Sequence, residues 1–174
     1  MKASVFVGTS LDGFLARLDG SFNFLPADGG EPHGYHEFMA TVDALVMGRN
    51  TYEVVLQFPA WLYGEKPVFV LTTRPLGHVP AGAVVERVTG EPAGIVAQLA
   101  ARGIGHIYVD GGLTIQQFLR AGLIQRLIIT RVPVLIGEGI PMFGALVHDV
   151  RLHVSTQHYA GGLVKSEYVV NDRT

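Results

Sequence analysis

Three short stretches of the chain carry glycine turns or hydroxyl, amide or cationic side chains that suit an anion. The first is Gly48, Arg49, Asn50 and Thr51; the second is Thr72, Thr73 and Arg74; the third is Asp110, Gly111, Gly112, Leu113 and Thr114. Each follows a short apolar run that is typical of a buried strand. A guanidinium fork binds phosphate, and a glycine turn that opens a helix leaves backbone N–H groups free for an anion.

The carboxyl ends of parallel strands meet at one edge of a sheet, where ligands of open α/β proteins bind. Together, the three stretches offer helix N-termini, two arginines and several hydroxyls for a pyrophosphate and one further phosphate. This combination predicts a dinucleotide that carries a 2′-phosphate, NADPH rather than NADH. The Rossmann fingerprint is absent, because Gly103 and Gly105 precede a predicted strand and Gly137 and Gly139 precede no helix. Taken singly, each stretch can also be an ordinary turn or helix cap.

The composition favours one globular domain that spans residues 1–174. Hydrophobic residues make up 48% of the chain and charged residues 16%, which provides a substantial core. The net charge of −2 gives no electrostatic reason to expect nucleic acid or an anionic membrane as a partner. The chain has no cysteine, which excludes thiolate chemistry and thiolate metal sites. With no predicted signal peptide or membrane span, we expect a cytoplasmic protein.

Apolar runs and helical patterns alternate over the first two thirds of the chain. Strands are predicted at residues 3–7, 44–47, 67–71, 83–88 and 106–109, and helices at 34–41, from 50 or 51 to 56, at 92–101 and at 114–121. Asn50 or Thr51 is expected to cap the second of these helices. This order is typical of a parallel sheet with helices on both faces.

The last third differs, because it lacks the helical pattern. A strand at residues 123–131 is followed by two β-rich segments, 151–159 and 163–170, around Ala160, Gly161 and Gly162. Such a pair predicts a β-hairpin, so the sheet should be mixed, with an antiparallel edge. Earlier in the chain, the loop from residue 21 to residue 32 carries Phe22, Phe24 and Leu25, and we expect it to fold over either the core or a ligand.

Five segments, in this order, resemble the dihydrofolate reductase-like superfamily. They are residues 10–13, 46–52, 70–74, 109–112 and 137–143. The resemblance is to the branch that contains the C-terminal reductase domain of the bifunctional riboflavin-biosynthesis deaminase/reductase, and it spans nearly the whole chain. It implies an α/β fold with a mixed, mostly parallel sheet that binds NADPH across its strand ends.

The resemblance also implies roles for individual residues. Residues 48–51 would meet the pyrophosphate and the 2′-phosphate region, and Leu71 would join residues 72–74 on the adenosine side. Ile115 would join residues 111–114 at the pyrophosphate, and Asp110 precedes that turn. Val7 and the turn that contains Gly13 would lie near the nicotinamide. Asp12, which matches the reductase branch, would orient the substrate or relay a proton; alternatively, it only forms a turn before glycine.

The substrate side is less clearly marked. Polar or aromatic candidates for the pocket are Glu31, His33, His36, Trp61 and Thr130. Dihydrofolate reductases carry a pterin-binding carboxylate at a place that here falls near Pro32 and His33, where no carboxylate stands, so folate reduction is disfavoured. His33 and His36 are also two of the ligands that a metal would need, but no third ligand is evident, and we expect no metal site.

The sequence therefore predicts an NADPH-dependent reductase of a small heterocyclic or carbonyl substrate, possibly a pyrimidine of the riboflavin-pathway type. The alternative is an NADP(H)-binding sensor or regulatory module without catalysis. The resemblance and the apolar composition also predict a homodimer.

Overall fold

The fold centres on an eight-stranded mixed sheet, seen in a computed structural model that describes residues 1–26 and 34–171. The strands are β1 (Lys2–Thr9), β2 (Phe14–Ala16), β3 (Ala44–Gly48), β4 (Val68–Leu71), β5 (Val85–Val88), β6 (His106–Asp110), β7 (Arg126–Arg131), β8 (Ile140–Pro141), β9 (Leu152–His158) and β10 (Val164–Val170). The sheet order is β5-β4-β3-β6-β1-β7-β10-β9. The first six of these strands run parallel, and the β9–β10 hairpin continues the sheet antiparallel from β7. β2 and β8 form a separate antiparallel pair.

Four helices cover the parallel part of the sheet: α1 (Tyr35–Ala40), α2 (Arg49–Val55), α3 (Pro92–Ala101) and α4 (Gly112–Arg120). On one face, α3 and α4 contribute Ile95, Leu99, Ile115 and Phe118 to a buried cluster with the sheet. On the other face, α1 and α2 contribute Phe38 and Val55 to a second cluster. The central strands are buried on both faces, which explains their uninterrupted apolar runs.

The predicted mixed, mostly parallel sheet with a C-terminal hairpin is therefore confirmed. The turn between β9 and β10 is a short 3-10 turn at Ala160–Gly162. Two helix starts were predicted too late. α2 begins at Arg49 after an extended Gly48, and neither Asn50 nor Thr51 caps it with its side chain. α4 begins at Gly112 instead of Thr114, because the glycine turn leads directly into the helix.

Among the described helices, none has the length and hydropathy needed to cross a membrane.

Candidate active site

A cavity of about 540 Å³ opens where the carboxyl ends of β1 and β6 meet the first turns of α2. Its walls come from the carboxyl ends of β1 and β6, from α2 and the residues after it, from β2, and from the chain that follows β2. The lining residues are Phe6, Val7, Gly8, Leu15, Ala16, Leu18, Asp19, Gly20, Phe22, Leu25, Asn50, Thr51, Glu53, Val54, Val55, Gln57, Phe58, Leu62, Tyr63, Tyr108, Asp110, Gly111, Gly112 and Ile140. Its place at the carboxyl edge of a parallel sheet is the one expected for a ligand site.

Asp110 is the last residue of β6 and lies in the wall of this cavity. Part of its surface is open to the cavity, but protein atoms surround the carboxyl group closely. One carboxyl oxygen, Oδ1, accepts a hydrogen bond of 2.8 Å from the Gly111 N–H. Burial raises the pKa of Asp110 from 3.8 to about 6, and the Gly111 N–H opposes this rise only in part. Asp110 therefore exchanges its proton close to neutral pH, as a general acid must.

Two tyrosines line the cavity near Asp110. Burial, and secondly the Asp110 carboxylate, raise the pKa values of Tyr63 and Tyr108 above the ordinary value of 10. The Tyr108 hydroxyl donates a 2.6 Å hydrogen bond to the backbone oxygen of Phe6. Both phenols thus stay protonated at neutral pH, and Tyr108 holds the end of β1 beside β6.

The turn between β6 and α4 packs tightly against the turn between β3 and α2. Gly111 has φ +92°, and a Cβ there would overlap Thr51 Oγ1. A Cβ at Gly48 would lie 2.9 Å from Thr114 Oγ1. Glycine is thus required at Gly111 by both backbone conformation and space. The close approach brings the predicted first and third stretches together at one edge of the sheet.

The N-terminus of α4 is open to an anion. The first intrahelical bond runs from the Ile115 N–H to the Gly111 oxygen, 2.8 Å. The N–H groups of Gly112, Leu113 and Thr114 have no acceptor within the described part of the chain. Such N–H groups at the positive end of a helix fit a phosphate. Ile115 differs from its predicted role: its side chain is buried in the core and its N–H is used by the helix, so it supports this N-terminus from behind.

Three arginines lie near the loop that follows β4. Arg49 Nη1 donates to the Pro75 oxygen at 3.0 Å, and Arg87 Nη1 donates to the Thr73 oxygen at 3.2 Å. Arg74 lies in the same loop and is exposed. The structure therefore brings the predicted first and second stretches together, and it adds Arg87. Sequence reasoning missed Arg87 because only the parallel pairing of β5 with β4 places it there.

Two of these predicted residues also have local roles. Arg49 forms an ion pair with Glu53, with 2.7 Å between Nε and Oε1, one helical turn further along α2. Thr72 Oγ1 accepts a hydrogen bond from the Arg74 N–H at 3.2 Å and so shapes its own loop. Leu71, the last residue of β4, packs partly against the core.

The loop between β1 and β2 is tied to the segment before β8. Asp12 is exposed, and its carboxylate accepts hydrogen bonds from the N–H groups of Ile136 and Gly137, the latter at 2.8 Å. A hydrogen bond from Ser10 and then these N–H groups lower its pKa. The Gly13 oxygen accepts from the Met142 N–H at 3.0 Å. These bonds place Ile140 in the cavity wall. Asp12 and Gly13 themselves lie outside it, and the catalytic role of Asp12 stays a prediction.

The predicted substrate residues are dispersed. His36 is exposed on α1. Trp61 lies behind the cavity: its Nε1 donates to the Gly64 oxygen at 3.1 Å, and its ring packs edge-on against Tyr63. Thr130 is buried on β7, and its hydroxyl has no hydrogen-bond partner in the described part of the chain. Glu31 and His33 lie outside the described residues. Across residues 1–26 and 34–171, no three His, Asp or Glu side chains are grouped as metal ligands.

Several aromatic side chains line the cavity although they were not among the predicted site residues. Phe22 stacks on Phe58, with ring centroids 6.2 Å apart and an angle of 16° between planes. This contact joins the chain after β2 to the segment after α2, and both rings line the cavity. The predicted loop from residue 21 thus folds over the cavity with Phe22 and Leu25. From the sequence, Phe6 and Tyr108 could be recognised only as strand residues. Nothing in the sequence indicated which face of the sheet borders the cavity.

Comparison with known proteins identifies the family. Residues 53–164 match the model of the RibD C-terminal domain. The chain belongs to the RibD C-terminal domain family. It is also 33% identical, over 97% of both chains, to the uncharacterized protein YwjB of Bacillus subtilis (strain 168).

Solved structures agree with this RibD C-terminal domain assignment. A putative riboflavin biosynthesis protein from Shewanella sp. PV-4 is 37% identical, with a TM-score of 0.87, and the match covers 99% of this chain and 100% of that one. A deaminase and 5-amino-6-(5-phosphoribosylamino)uracil reductase from Thermotoga maritima is 17% identical, with a TM-score of 0.77; the match covers 98% of this chain and 56% of that one. Dihydrofolate reductase from Enterococcus faecalis, complexed with NADP(H), is 18% identical, with a TM-score of 0.64 and coverage of 98% and 97%. The fold is dihydrofolate reductase-like, as predicted.

Proposed function

We propose that this protein is an NADPH-dependent reductase that reduces a small heterocyclic or carbonyl substrate. The observation that carries the proposal is the position of Asp110. A carboxyl group with a pKa of about 6 lies in an aromatic-walled cavity, one residue before an open helix N-terminus. A proton donor and an anion site therefore meet at the same strand end. Membership of a family whose neighbours are reductases supports this activity.

The residues present fit the phosphates of NADPH. The free N–H groups at the start of α4 suit the pyrophosphate. Arg49, Arg74 and Arg87 surround the loop after β4 and suit a 2′-phosphate, which NADH lacks. The close packing of Gly48 against Thr114 and of Gly111 against Thr51 holds the two turns side by side at this edge of the sheet. These features favour NADPH as the cofactor.

NADPH supplies a hydride when it is bound. The chain must then hold the substrate and provide a proton. Asp110 Oδ1 is occupied by the Gly111 N–H, whereas Oδ2 has no hydrogen-bond partner among the described residues. We assign the proton to Oδ2, from which it passes to a nitrogen or oxygen of the substrate. Burial keeps the pKa of Asp110 high, and apolar side chains such as Val7, Leu25 and Val54 line the same cavity.

Two measurements test the proposal. NADPH should raise the melting temperature more than NADH does; a ligand at 100 times its dissociation constant adds about 2.7 kcal/mol, or roughly 5–11 °C for a chain of this size. NADPH oxidation, followed at 340 nm, should accompany reduction of pyrimidine or related heterocyclic substrates. Absence of any shift with either nucleotide would refute cofactor binding. Tight NADPH binding without turnover of any substrate would favour the regulatory module instead.

The proposal includes two predictions about the protein's setting. The resemblance and the many exposed apolar side chains, such as Leu135 and Val147, favour a homodimer, which sedimentation or light scattering would test. The cytoplasm is the proposed location.

A further inference from the structure

Four large apolar side chains are exposed to solvent and also line the cavity. They come from two segments, the chain after β2 and the chain after α2. Leu18 is 67% exposed, Leu62 50%, Phe22 38% and Phe58 39%. Single exposed apolar side chains are ordinary on a protein surface, but a group of them around a concave opening is typical of a binding site. We call these four residues the apolar rim.

The first segment of the apolar rim is a tight turn that holds Leu18. The Gly20 N–H donates a hydrogen bond to the Arg17 oxygen at 2.9 Å, and the Arg17 N–H donates to the Ser21 oxygen at 2.7 Å. Asp19 Oδ1 accepts a hydrogen bond from the Ser21 N–H at 2.9 Å, so its carboxylate is used by the turn itself. These bonds within the segment fix the position of Leu18.

The second segment is fixed by aromatic contacts. Leu62 lies between Trp61 and Tyr63, whose rings pack edge to face with their centroids 5.2 Å apart. The stacked rings of Phe22 and Phe58 join this segment to the first one. The apolar rim is therefore positioned by contacts within the protein, which reduces the entropy that a ligand must lose to order it.

The apolar rim and the proposed phosphate site lie at different ends of the cavity. α2 connects the two ends: Thr51, in its first turn, packs against Gly111, and Phe58 follows its last residue, Val55. Seven residues from Arg49 to Val55 give a rise of roughly 9 Å at about 1.5 Å per residue. The apolar rim is thus separate from the turns that suit the pyrophosphate.

Apolar side chains also line the cavity away from the rim. Leu25 lies directly over β1, because a Cβ at Gly8 would be only 3.0 Å from Leu25 Cδ2. Phe6 and Val54 are lining residues as well. A substrate that extends from Asp110 towards the apolar rim would therefore contact aliphatic and aromatic carbon.

We infer that the substrate of this site carries an alkyl or aryl substituent that lies against the apolar rim, while its heterocyclic or carbonyl group lies at Asp110. Carbon that is buried against the rim gains free energy from the area removed from water. A purely polar substituent gains no hydrogen bond from the four rim side chains and loses part of its own hydration. The inference rests on the proposed function, and it narrows the substrate to a heterocycle or carbonyl compound with an apolar group.

Two homologous series of ligands test the inference: 5-amino-6-(alkylamino)uracils and alkyl phenyl ketones, each with methyl, propyl and pentyl chains. Titration calorimetry on the protein saturated with NADP⁺ measures their affinities. In at least one series, each added methylene should tighten binding about two- to fourfold. An affinity that does not depend on chain length in either series would overturn the inference, and so would the absence of binding by every compound.

Variants of the apolar rim show where the chain binds. Leu18→Ala and Leu62→Ala replace exposed side chains and should not disturb the fold. Each should reduce the gain in affinity from the methyl to the pentyl compound at least about threefold. Leu146 is 43% exposed and is not among the lining residues of this cavity, so Leu146→Ala is the matched control and should keep the full gain. If both rim variants also keep it, the substituent binds elsewhere and the inference fails.

Sedimentation separates a small-molecule ligand from a second copy of the chain. If the protein forms a dimer that Leu62→Asp dissociates, the apolar rim belongs to a subunit interface, which would overturn the inference. The state of the proposed function is read independently. A protein that binds neither NADP⁺ nor NADPH refutes that function, whereas nucleotide binding without any dependence on chain length refutes the inference alone.

Discussion

Replacing Asp110 with asparagine should stabilise the protein and inactivate it at the same time. Asparagine keeps an oxygen that accepts the Gly111 N–H, but it carries neither the charge that burial disfavours nor the proton that the reaction needs. The pKa of Asp110 is about 6 in the folded state, against an ordinary value of 3.8 for an aspartate. Because folding raises this pKa, the carboxylate destabilises the folded state once it ionises.

The size and the pH window of the effect follow from these two pKa values. The difference between 3.8 and about 6 corresponds to about 3 kcal/mol, since a pKa difference of 1 is 1.36 kcal/mol. Below about pH 3 the group is protonated in both states, so the penalty is nearly absent. It grows as the pH rises from about 3 to 6 and is fully present above about pH 7. Relative to the native protein, Asp110→Asn should gain about 1 kcal/mol at pH 4.5 and about 3 kcal/mol at pH 8.

Urea unfolding at pH 4.5, 6 and 8 measures this difference, and Asp12→Asn is the matched control. Asp12 is exposed, and its pKa is lowered by hydrogen bonds from Ser10 and the Ile136 and Gly137 N–H groups. It therefore contributes stability that is present above its unfolded pKa and is lost as the pH falls. Its variant should be destabilised at pH 8 and less so at pH 4.5, the opposite sign to Asp110→Asn.

The reasoning would be refuted if the Asp110→Asn difference were independent of pH, or if the variant were less stable at pH 8. The activity arm is separate. If Asp110 donates the proton, kcat/KM should fall as the pH rises above about 6, and the variant should lose this dependence together with most of its activity, about 10²–10⁴-fold. NADPH affinity should change little.

Three further outcomes are expected. Arg49→Ala should weaken the binding of NADPH about 10- to 150-fold in fluorescence titration, because it loses a charge-assisted hydrogen bond of about 1.5–3 kcal/mol. The binding of NADH should change little. Arg102, whose guanidinium pairs with Glu86, gives the control: Arg102→Ala should change the affinity for neither nucleotide. Gly111→Ala should lose about 2–5 kcal/mol of unfolding free energy in urea, because a Cβ meets Thr51 at φ +92°; an effect below 1 kcal/mol would contradict that packing. Phe118→Ala should lose about 3–5 kcal/mol, whereas Leu113→Ala, 71% exposed on the same helix, should stay within about 0.5 kcal/mol.

The sequence predicted the elements well because each carries a local signal. Apolar runs mark β3 and β6, and a proline followed by periodic apolar residues marks α3. The glycine turns at Gly48 and Gly111 were also recognisable as strand-to-helix junctions. Their mutual packing was not, because it depends on the pairing of strands that lie far apart in the chain.

The strand-to-helix turns and the arginines of the candidate site were therefore largely predictable, whereas the cavity was not. Arg87 enters the site through strand pairing, and Phe58 through its stacking on Phe22. From the sequence, Asp110 was assigned to the cofactor-binding residues, because its position before Gly111 does not indicate that its carboxyl group is buried. A pKa shift arises from surrounding atoms of many segments, and no short motif records it.

The position of β1 has a consequence for how the protein folds. This first strand lies between β6 and β7, the strands that follow about a hundred positions later; the Ser4–His106 contact alone joins residues 102 positions apart. During synthesis, β1 has no neighbour to pair with until β6 has emerged. Folding should therefore be slow and should proceed in one late step. Because Val7 and Asp110 meet only in that step, the proposed nucleotide site should form only with the finished sheet, and nucleotide binding would then report its completion.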